Sequence, residues 1–167
     1  MATEAELWAA VGEGGAETVT VRAGARIQLT GGPLKIARSV RLVGAAGDGG
    51  LPAIVGAAGE HALGISGGGV AVGLEGLRIE ASGGGNAIDC WGAASLAARR
   101  CELAGGRAHF QDKGTAGELT DCTIEGSEGF GLYVSRGATV AVEGGAIRGC
   151  ARTGVLVVHS GSRATVR

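Results

Sequence analysis

The sequence predicts an all-β fold, a right-handed single-stranded parallel β-helix of about six coils with a short N-terminal capping α-helix. The 167 residues include 35 glycines and are 45% hydrophobic but only 3% aromatic, so small aliphatic side chains must build the core. The glycines follow no three-residue period, which excludes collagen. Short aliphatic segments recur every 21 to 24 residues, and a repeat of that length buries its apolar side only by stacking on the next repeat.

Residues 1–17 are predicted to form the cap of the first coil. Thr3 and Glu6 have the spacing of a capping box. Leu7 begins an apolar face, and Gly12 is expected to end the helix. A helix at this place covers a stack of strands whose edges would otherwise be open to pairing.

Residues 18–167 contain the repeat that forms the coils. The anchors of four aligned repeats are 24, 21 and 23 residues apart, and three further columns align before them. Each repeat adds a strand that ends in glycine, which gives about three short strands per coil. A leucine-rich repeat has a similar period, but its L-x-x-L-x-L pattern is missing here. The four anchors are Ile79, Leu103, Ile124 and Ile147.

The C-terminal coil is predicted to be incomplete. After Gly161 the chain runs only to Arg167 and stops where the earlier repeats enter their second strand. Either the sequence is part of a larger protein, or this end of the solenoid pairs with another copy.

Three segments, residues 18–24, 34–44 and 73–79, resemble the first coils of the pectin lyase-like superfamily of right-handed β-helix proteins. The resemblance runs from Thr18 to Arg167 and includes the β-helices found beside F-box domains and in copper-maturation and carbohydrate-binding proteins. It implies the fold and not the activity. The N-T-D, D-D and G-H-G motifs and the acid cluster of the calcium-dependent lyases are missing, so no catalytic residue carries over.

The charge balance and the absence of targeting patterns indicate which partners to expect. A net charge of −1 and a pI near 6.3, with no basic stripe, argue against nucleic acid. No apolar run reaches the roughly 18–20 residues of a membrane span. The N-terminus lacks the pattern of a secretory signal, which predicts an intracellular protein. No cofactor and no metal site are predicted.

The four cysteines have no C-x-x-C pairing and are interpreted as reduced, buried small hydrophobes. Cys101 and Cys122 fall in one interior column, so a disulfide between them is the alternative under oxidation. The glycine runs 67–69 and 83–85 lack the residues of a phosphate-binding loop and are interpreted as turns. The cysteines are Cys90, Cys101, Cys122 and Cys150.

The strands that end in glycine carry the candidate site. When their aliphatic residues point inward, the intervening polar and aromatic side chains face outward. Coils about 4.8 Å apart align these side chains in two exposed columns, with two basic residues at the neighbouring turn. A ring in such a column can stack on a sugar while polar groups bind its hydroxyls. The first column is Asp89, His109 and Tyr133, the second is Trp91, Gln111 and Ser135, and the turn residues are Lys113 and Arg136.

Three functions are consistent with these eight residues. The first is a non-catalytic binding module that presents this face to a carbohydrate or a protein. The second is a lyase, hydrolase or epimerase of uronic-acid polymers, with His109 and Tyr133 as the proton-transfer pair and Asp89 beside them. The third is a structural module that self-associates through its C-terminal end. An assorted polar surface without a ligand is the simplest interpretation of the same residues.

Overall fold

The computed structural model describes the whole chain, Met1–Arg167, and confirms an all-β parallel solenoid of about six coils. Helix α1 (Glu4–Val11) precedes nineteen strands. The strands are β1 (Thr18–Val21), β2 (Arg26–Gln28), β3 (Leu34–Ile36), β4 (Val40–Gly44), β5 (Ala53–Ala58), β6 (Leu63–Ser66), β7 (Ala71–Glu75), β8 (Arg78–Ser82), β9 (Asn86–Trp91), β10 (Ser95–Arg99), β11 (Glu102–Ala104), β12 (Arg107–Gln111), β13 (Ala116–Thr120), β14 (Thr123–Glu125), β15 (Leu132–Ser135), β16 (Thr139–Glu143), β17 (Ala146–Arg148), β18 (Val155–Val157) and β19 (Arg163–Val166).

Each coil contributes one strand to each of three parallel sheets. The first sheet has the order β1-β4-β7-β10-β13-β16-β19, and the second has the order β2-β5-β8-β11-β14-β17. The third sheet, with the order β3-β6-β9-β12-β15-β18, carries the candidate site. Neighbouring strands are always three apart in chain order, so every turn of the chain lies directly on the turn before it.

The register agrees with the repeat found in the sequence. In the second sheet Ile79 pairs with Leu103, and Leu103 pairs in turn with Ile124. Ile124 then pairs with Ile147. The columns five and seven positions before these anchors align in the first sheet in the same way. The predicted alignment of the repeats is therefore confirmed.

Alternation along the strands places one side of each sheet in a continuous core. Strand β1 shows the pattern, since its valines are buried and its threonines are exposed. Phe110 is the one aromatic ring among the buried hydrophobic side chains, and it lies against Gly117. A Cβ atom at Gly117 would be only 2.5 Å from Phe110 Cε1, so the glycine makes room for the ring.

Helix α1 packs on the first coil and has the predicted ends. Thr3 Oγ1 accepts the N–H of Glu6 at 3.3 Å, and Glu6 Oε2 accepts the N–H of Thr3 at 3.1 Å, which completes the capping box. Leu7 is fully buried, and Gly12 is the C-cap. No helix of the protein has the length and apolar character needed to cross a membrane.

The thiols pack as small hydrophobes. Cys90, Cys101 and Cys122 are buried, Cys150 is half-buried, and all four are free. Burial raises the pKa of Cys90 to about 12. The neighbouring Cys122 side chain, together with burial, also raises the pKa of Cys101. Cys90 and Cys101 are therefore held in their protonated, unreactive form.

Candidate functional site

The outward-facing residues of the third sheet stack as the sequence predicts. Asp89 pairs with His109, and His109 pairs with Tyr133, so the three residues occupy one register position on three successive coils. Gly64 precedes this column, and Leu156 continues it. The term binding face is used below for the outward residues of β9, β12 and β15, namely Asp89, Trp91, His109, Gln111, Tyr133 and Ser135.

Half of the binding face is buried, which corrects the expectation of two exposed columns. Asp89 and His109 are each 8% exposed, and Ser135 is 2% exposed. Trp91, Gln111 and Tyr133 are half-buried. The physical reason is that the polar side chains bond to one another along the stack, and the Tyr133 ring packs against His109. The role of these residues in ligand binding stays a prediction.

The Asp89 carboxylate is the centre of the buried contacts. Its Oδ1 lies 3.1 Å from His109 Nδ1, and it accepts a hydrogen bond from Gln111 Nε2 at 3.3 Å. Its Oδ2 lies 3.4 Å from His61 Nε2. Three side chains, from the coil before Asp89 and the coil after it, therefore hold one carboxylate, which offsets the cost of burying its charge.

His61 belongs to this network, although the sequence analysis did not select it. Its Nδ1 accepts the backbone N–H of Asn86 at 3.0 Å, so a neutral ring carries its proton on Nε2, which faces Asp89. His61 lies in the turn before β6, where no strand alternation indicates the direction of a side chain. The sequence therefore contained no periodic signal that could have found it.

Both nitrogens of His109 are engaged. Nδ1 faces Asp89, and Nε2 lies 3.2 Å from Ser135 Oγ, which is hydrogen-bond distance. The ring centroid of Tyr133 lies 4.7 Å from that of His109, with 31° between the two planes. His109 and Tyr133 thus meet through their ring faces, whereas a proton-transfer pair needs a hydrogen bond between them.

Aromatic rings and an arginine build the outer surface of the binding face. Phe130 stacks on Tyr133 with centroids 5.7 Å apart, and Arg107 Cζ lies 5.4 Å from the centroid of the Tyr133 ring. The Trp91 indole extends over Gly64, where a Cβ atom would be 3.3 Å from Trp91 Cη2. Arg107 and Phe130 were missed from the sequence because one begins a strand and the other lies in a turn.

The turn beside the binding face carries the remaining predicted residues. Arg136 Nη1 lies 3.8 Å from Asp112 Oδ1, and both residues have left-handed backbone, with φ of 53° and 78°. Lys113 and Arg136 are exposed. The turn therefore adds positive charge next to Ser135, as expected, although part of it is paired with Asp112.

A cleft of about 270 Å³ opens at the other edge of the third sheet, where its strands begin. Glycines from three coils line it together with Asn86, Arg107, Ser127, Phe130 and Arg152. This cleft was not predicted, because its residues come from turns of different length that only the stacking of the coils brings together. No cluster of three or more His, Cys, Asp or Glu side chains is arranged to hold a metal ion.

The protein is a parallel β-solenoid, and on its third sheet the Tyr133 ring packs against His109 and Phe130. No family model matches the chain, and no curated protein or solved structure matches it significantly. The solenoid class is therefore established by the strand topology alone.

Proposed function

We propose that this protein is a non-catalytic binding module that takes a carbohydrate on the binding face of its third sheet. The observation that carries the proposal is the half-buried Tyr133 ring, which is supported by His109 at 4.7 Å and by Phe130 at 5.7 Å. A ring held in place by its neighbours loses little further entropy when a sugar packs against its exposed part.

The polar surroundings of the ring suit a hydroxylated ligand. Gln111 is half-buried beside it and is positioned by its bond to Asp89. Lys113 and Arg136 add exposed donors at the turn. The buried contacts among Asp89 and the histidines leave few groups free to move protons, so they act as a rigid base for the face. The resemblance to the carbohydrate-binding β-helices of the pectin lyase-like superfamily supports the same proposal.

The test uses Trp91 as the reporter. In a Trp8→Phe variant Trp91 is the sole tryptophan, and we expect a saturable fluorescence change with one member of a panel of neutral and acidic polysaccharides. Tyr133→Ala should weaken binding about tenfold, whereas Tyr133→Phe keeps the ring and should bind within about twofold. The absence of a saturable change with every polymer would overturn the proposal, and a protein partner would then be sought.

One observation favours an enzyme as the second candidate. Asp89, His109 and Ser135 stand in the order of the carboxylate, base and nucleophile of serine hydrolases, with contacts of 3.1 and 3.2 Å on the corresponding nitrogens. Ser135 is only 2% exposed, however, so a substrate carbonyl has no path to its Oγ. Prolonged incubation with uronic-acid polymers and with acyl esters should therefore release no product. Release that His109→Ala abolishes would establish the enzyme instead.

A further inference from the structure

The geometry points to a second site in the cleft at the starting edge of the third sheet: it binds the tetrahedral oxyanion of a phosphate or sulfate ester on a sugar. This inference rests on the proposed function for the sugar and names the charged group that the sugar carries. The residues of this second site lie outside the binding face, but two of them, Arg107 and Phe130, contact Tyr133 of that face. The two sites are thus adjacent.

Five glycines expose backbone along the walls of the cleft. Gly85 and Gly106 lie one above the other, and a Cβ atom at Gly106 would be 2.4 Å from the oxygen of Gly85. The two turns can stack this closely only because residue 106 is glycine. The cleft of about 270 Å³ remains open beside them, which is enough for one ester group and part of the attached ring.

Two arginines without a carboxylate partner line the cleft. Arg107 donates through Nε to Asn86 Oδ1 at 2.7 Å, and its two terminal nitrogens have no partner in the protein. Arg152 makes no side-chain hydrogen bond, and its Cζ lies 6.0 Å from the centroid of the Phe130 ring. The stacked rings Phe130 and Tyr133 therefore support two guanidinium groups that retain free donors.

A buried amide adds the observation that indicates a ligand. Asn86 is 2% exposed, and its Oδ1 is used by Arg107, but its Nδ2 has no partner. Every fully buried side-chain nitrogen or oxygen of the protein has a hydrogen-bond partner. Because Asn86 Nδ2 has none, it is not fully buried, and the cleft that Asn86 lines is where it opens. Ser127 is 4% exposed and accepts the N–H of Gly129 at 3.3 Å, which leaves its O–H free to donate. The acceptor oxygens of a ligand bound in the cleft can satisfy these donors.

The number and placement of the donors favour a tetrahedral group. Asn86, Arg107, Ser127 and Arg152 line one cleft but come from four successive coils, so their donors lie at different levels, where an ester group and the hydroxyls of its sugar can each meet some of them. A single bidentate guanidinium satisfies a planar carboxylate, whereas the three terminal oxygens of a phosphate or sulfate ester accept hydrogen bonds from several sides. Glu128 also lines the cleft, is exposed and has no partner. It lowers the local positive charge and can accept a hydroxyl of the sugar.

The test is isothermal titration of the full chain with glucose 6-phosphate, glucose 6-sulfate, glucuronate and glucose. We expect binding of the phosphate ester, the sulfate ester or both, at least about tenfold tighter than that of glucuronate or glucose. Which ester binds identifies the source of the oxyanion. Arg152→Gln and Asn86→Asp should each weaken ester binding at least about tenfold, and Glu128→Gln should strengthen it at least about twofold.

Arg163→Gln is the matched control, because Arg163 is exposed and unpaired on β19, outside the cleft. It should leave ester binding unchanged, and circular dichroism checks that each variant is folded. Equal or tighter binding of glucuronate, or no binding of either ester, would overturn the inference. If neutral polysaccharides change the Trp91 fluorescence but calorimetry shows no preference for the esters, this inference fails and the proposed function stands. Ester binding that depends on Arg152 without any polysaccharide response would leave only the oxyanion site.

Discussion

Gly117 occupies an interior position where the neighbouring coils carry Leu96 and Val140. The side chain missing at this position is replaced by the ring of Phe110, which reaches across from the third sheet. The interior volume at this level of the solenoid is therefore shared between two sheets, so the residue that fits at one position depends on the side chain that faces it from another sheet.

We expect Gly117→Val to destabilise the protein by about 1–3 kcal/mol, because the added carbons overlap with Phe110. Urea unfolding measures the change. Phe110→Leu frees space, so the double variant Gly117→Val/Phe110→Leu should lose less than the sum of the two single losses. Additive losses would show that the two side chains do not share this space.

Asp89→Asn should cost about 1–3 kcal/mol, because the new amide turns a donor toward a histidine that already donates. The measurement is the urea midpoint. Asp48→Asn is the matched control, since Asp48 is exposed and makes no side-chain hydrogen bond, and it should change stability by less than about 0.5 kcal/mol. Equal effects of the two substitutions would contradict the central position of Asp89.

At the scale of elements, helix α1 is fastened by one carboxylate as well as by its apolar face. Glu4 accepts the N–H and the O–H of Thr30, each at 2.7 Å, and the N–H of Gly31 at 3.2 Å. Thr30 and Gly31 lie between β2 and β3, so Glu4 joins the helix to the first coil. These bonds, with the Thr30 N–H first, lower the pKa of Glu4 from its usual 4.5 to about 2.

The sign of this shift predicts an acid response of the helix. Because the pKa is lower in the folded state, the contribution of Glu4 is complete above about pH 4.5 and is lost as the pH falls toward about 2. Trp8, whose Nε1 lies 3.4 Å from Glu4 Oε1, reports this change by fluorescence in a Trp91→Phe variant. The added substitution Glu4→Gln should remove the transition, and its persistence there would assign it to another group.

At the scale of the whole molecule, the two ends of the solenoid differ. Helix α1 covers the first coil, whereas β17, β18 and β19 each have a strand on one side only. Val157 and Val166 on these strands are exposed. A solenoid gains stability from each neighbouring coil, so a coil with a single neighbour is held less strongly than a central one.

We expect amide hydrogen exchange to be fastest in β17–β19 and slowest in β7–β12, since the last coil opens with the least loss of contacts. Exchange followed by mass spectrometry of peptides measures the gradient. Uniform protection along the chain would instead indicate that the solenoid opens only as a whole.

Self-association through the C-terminal end, the third function considered, belongs to the same scale. It predicts that the size in solution rises with concentration and that Val166→Asp reverses the rise, because a charge at an open edge opposes pairing. Leu51→Asp is the control, because it places the same charge on an exposed apolar residue between β4 and β5, far from the C-terminal end. A size that is independent of concentration would exclude this function.

The solenoid, its register and its N-terminal cap follow from patterns that can be seen in the sequence. These depend on short-range signals, namely the capping box of Thr3 and Glu6, the alternation within strands and the spacing of the anchors such as Ile79 and Leu103. The sequence also placed Asp89, His109 and Tyr133 at one register position.

The contacts of those side chains depend on how the coils stack in three dimensions. Whether Asp89 is exposed depends on His61, which lies in a turn one coil away, and the cleft depends on Asn86 and Arg152, 66 residues apart in the chain. Periodicity specifies which way a strand residue points, but it contains no information on how turns of unequal length stack. The buried network and the cleft arise from that stacking, because hydrogen bonds act over about 3 Å and the repeat sets positions only to within a coil spacing of about 4.8 Å.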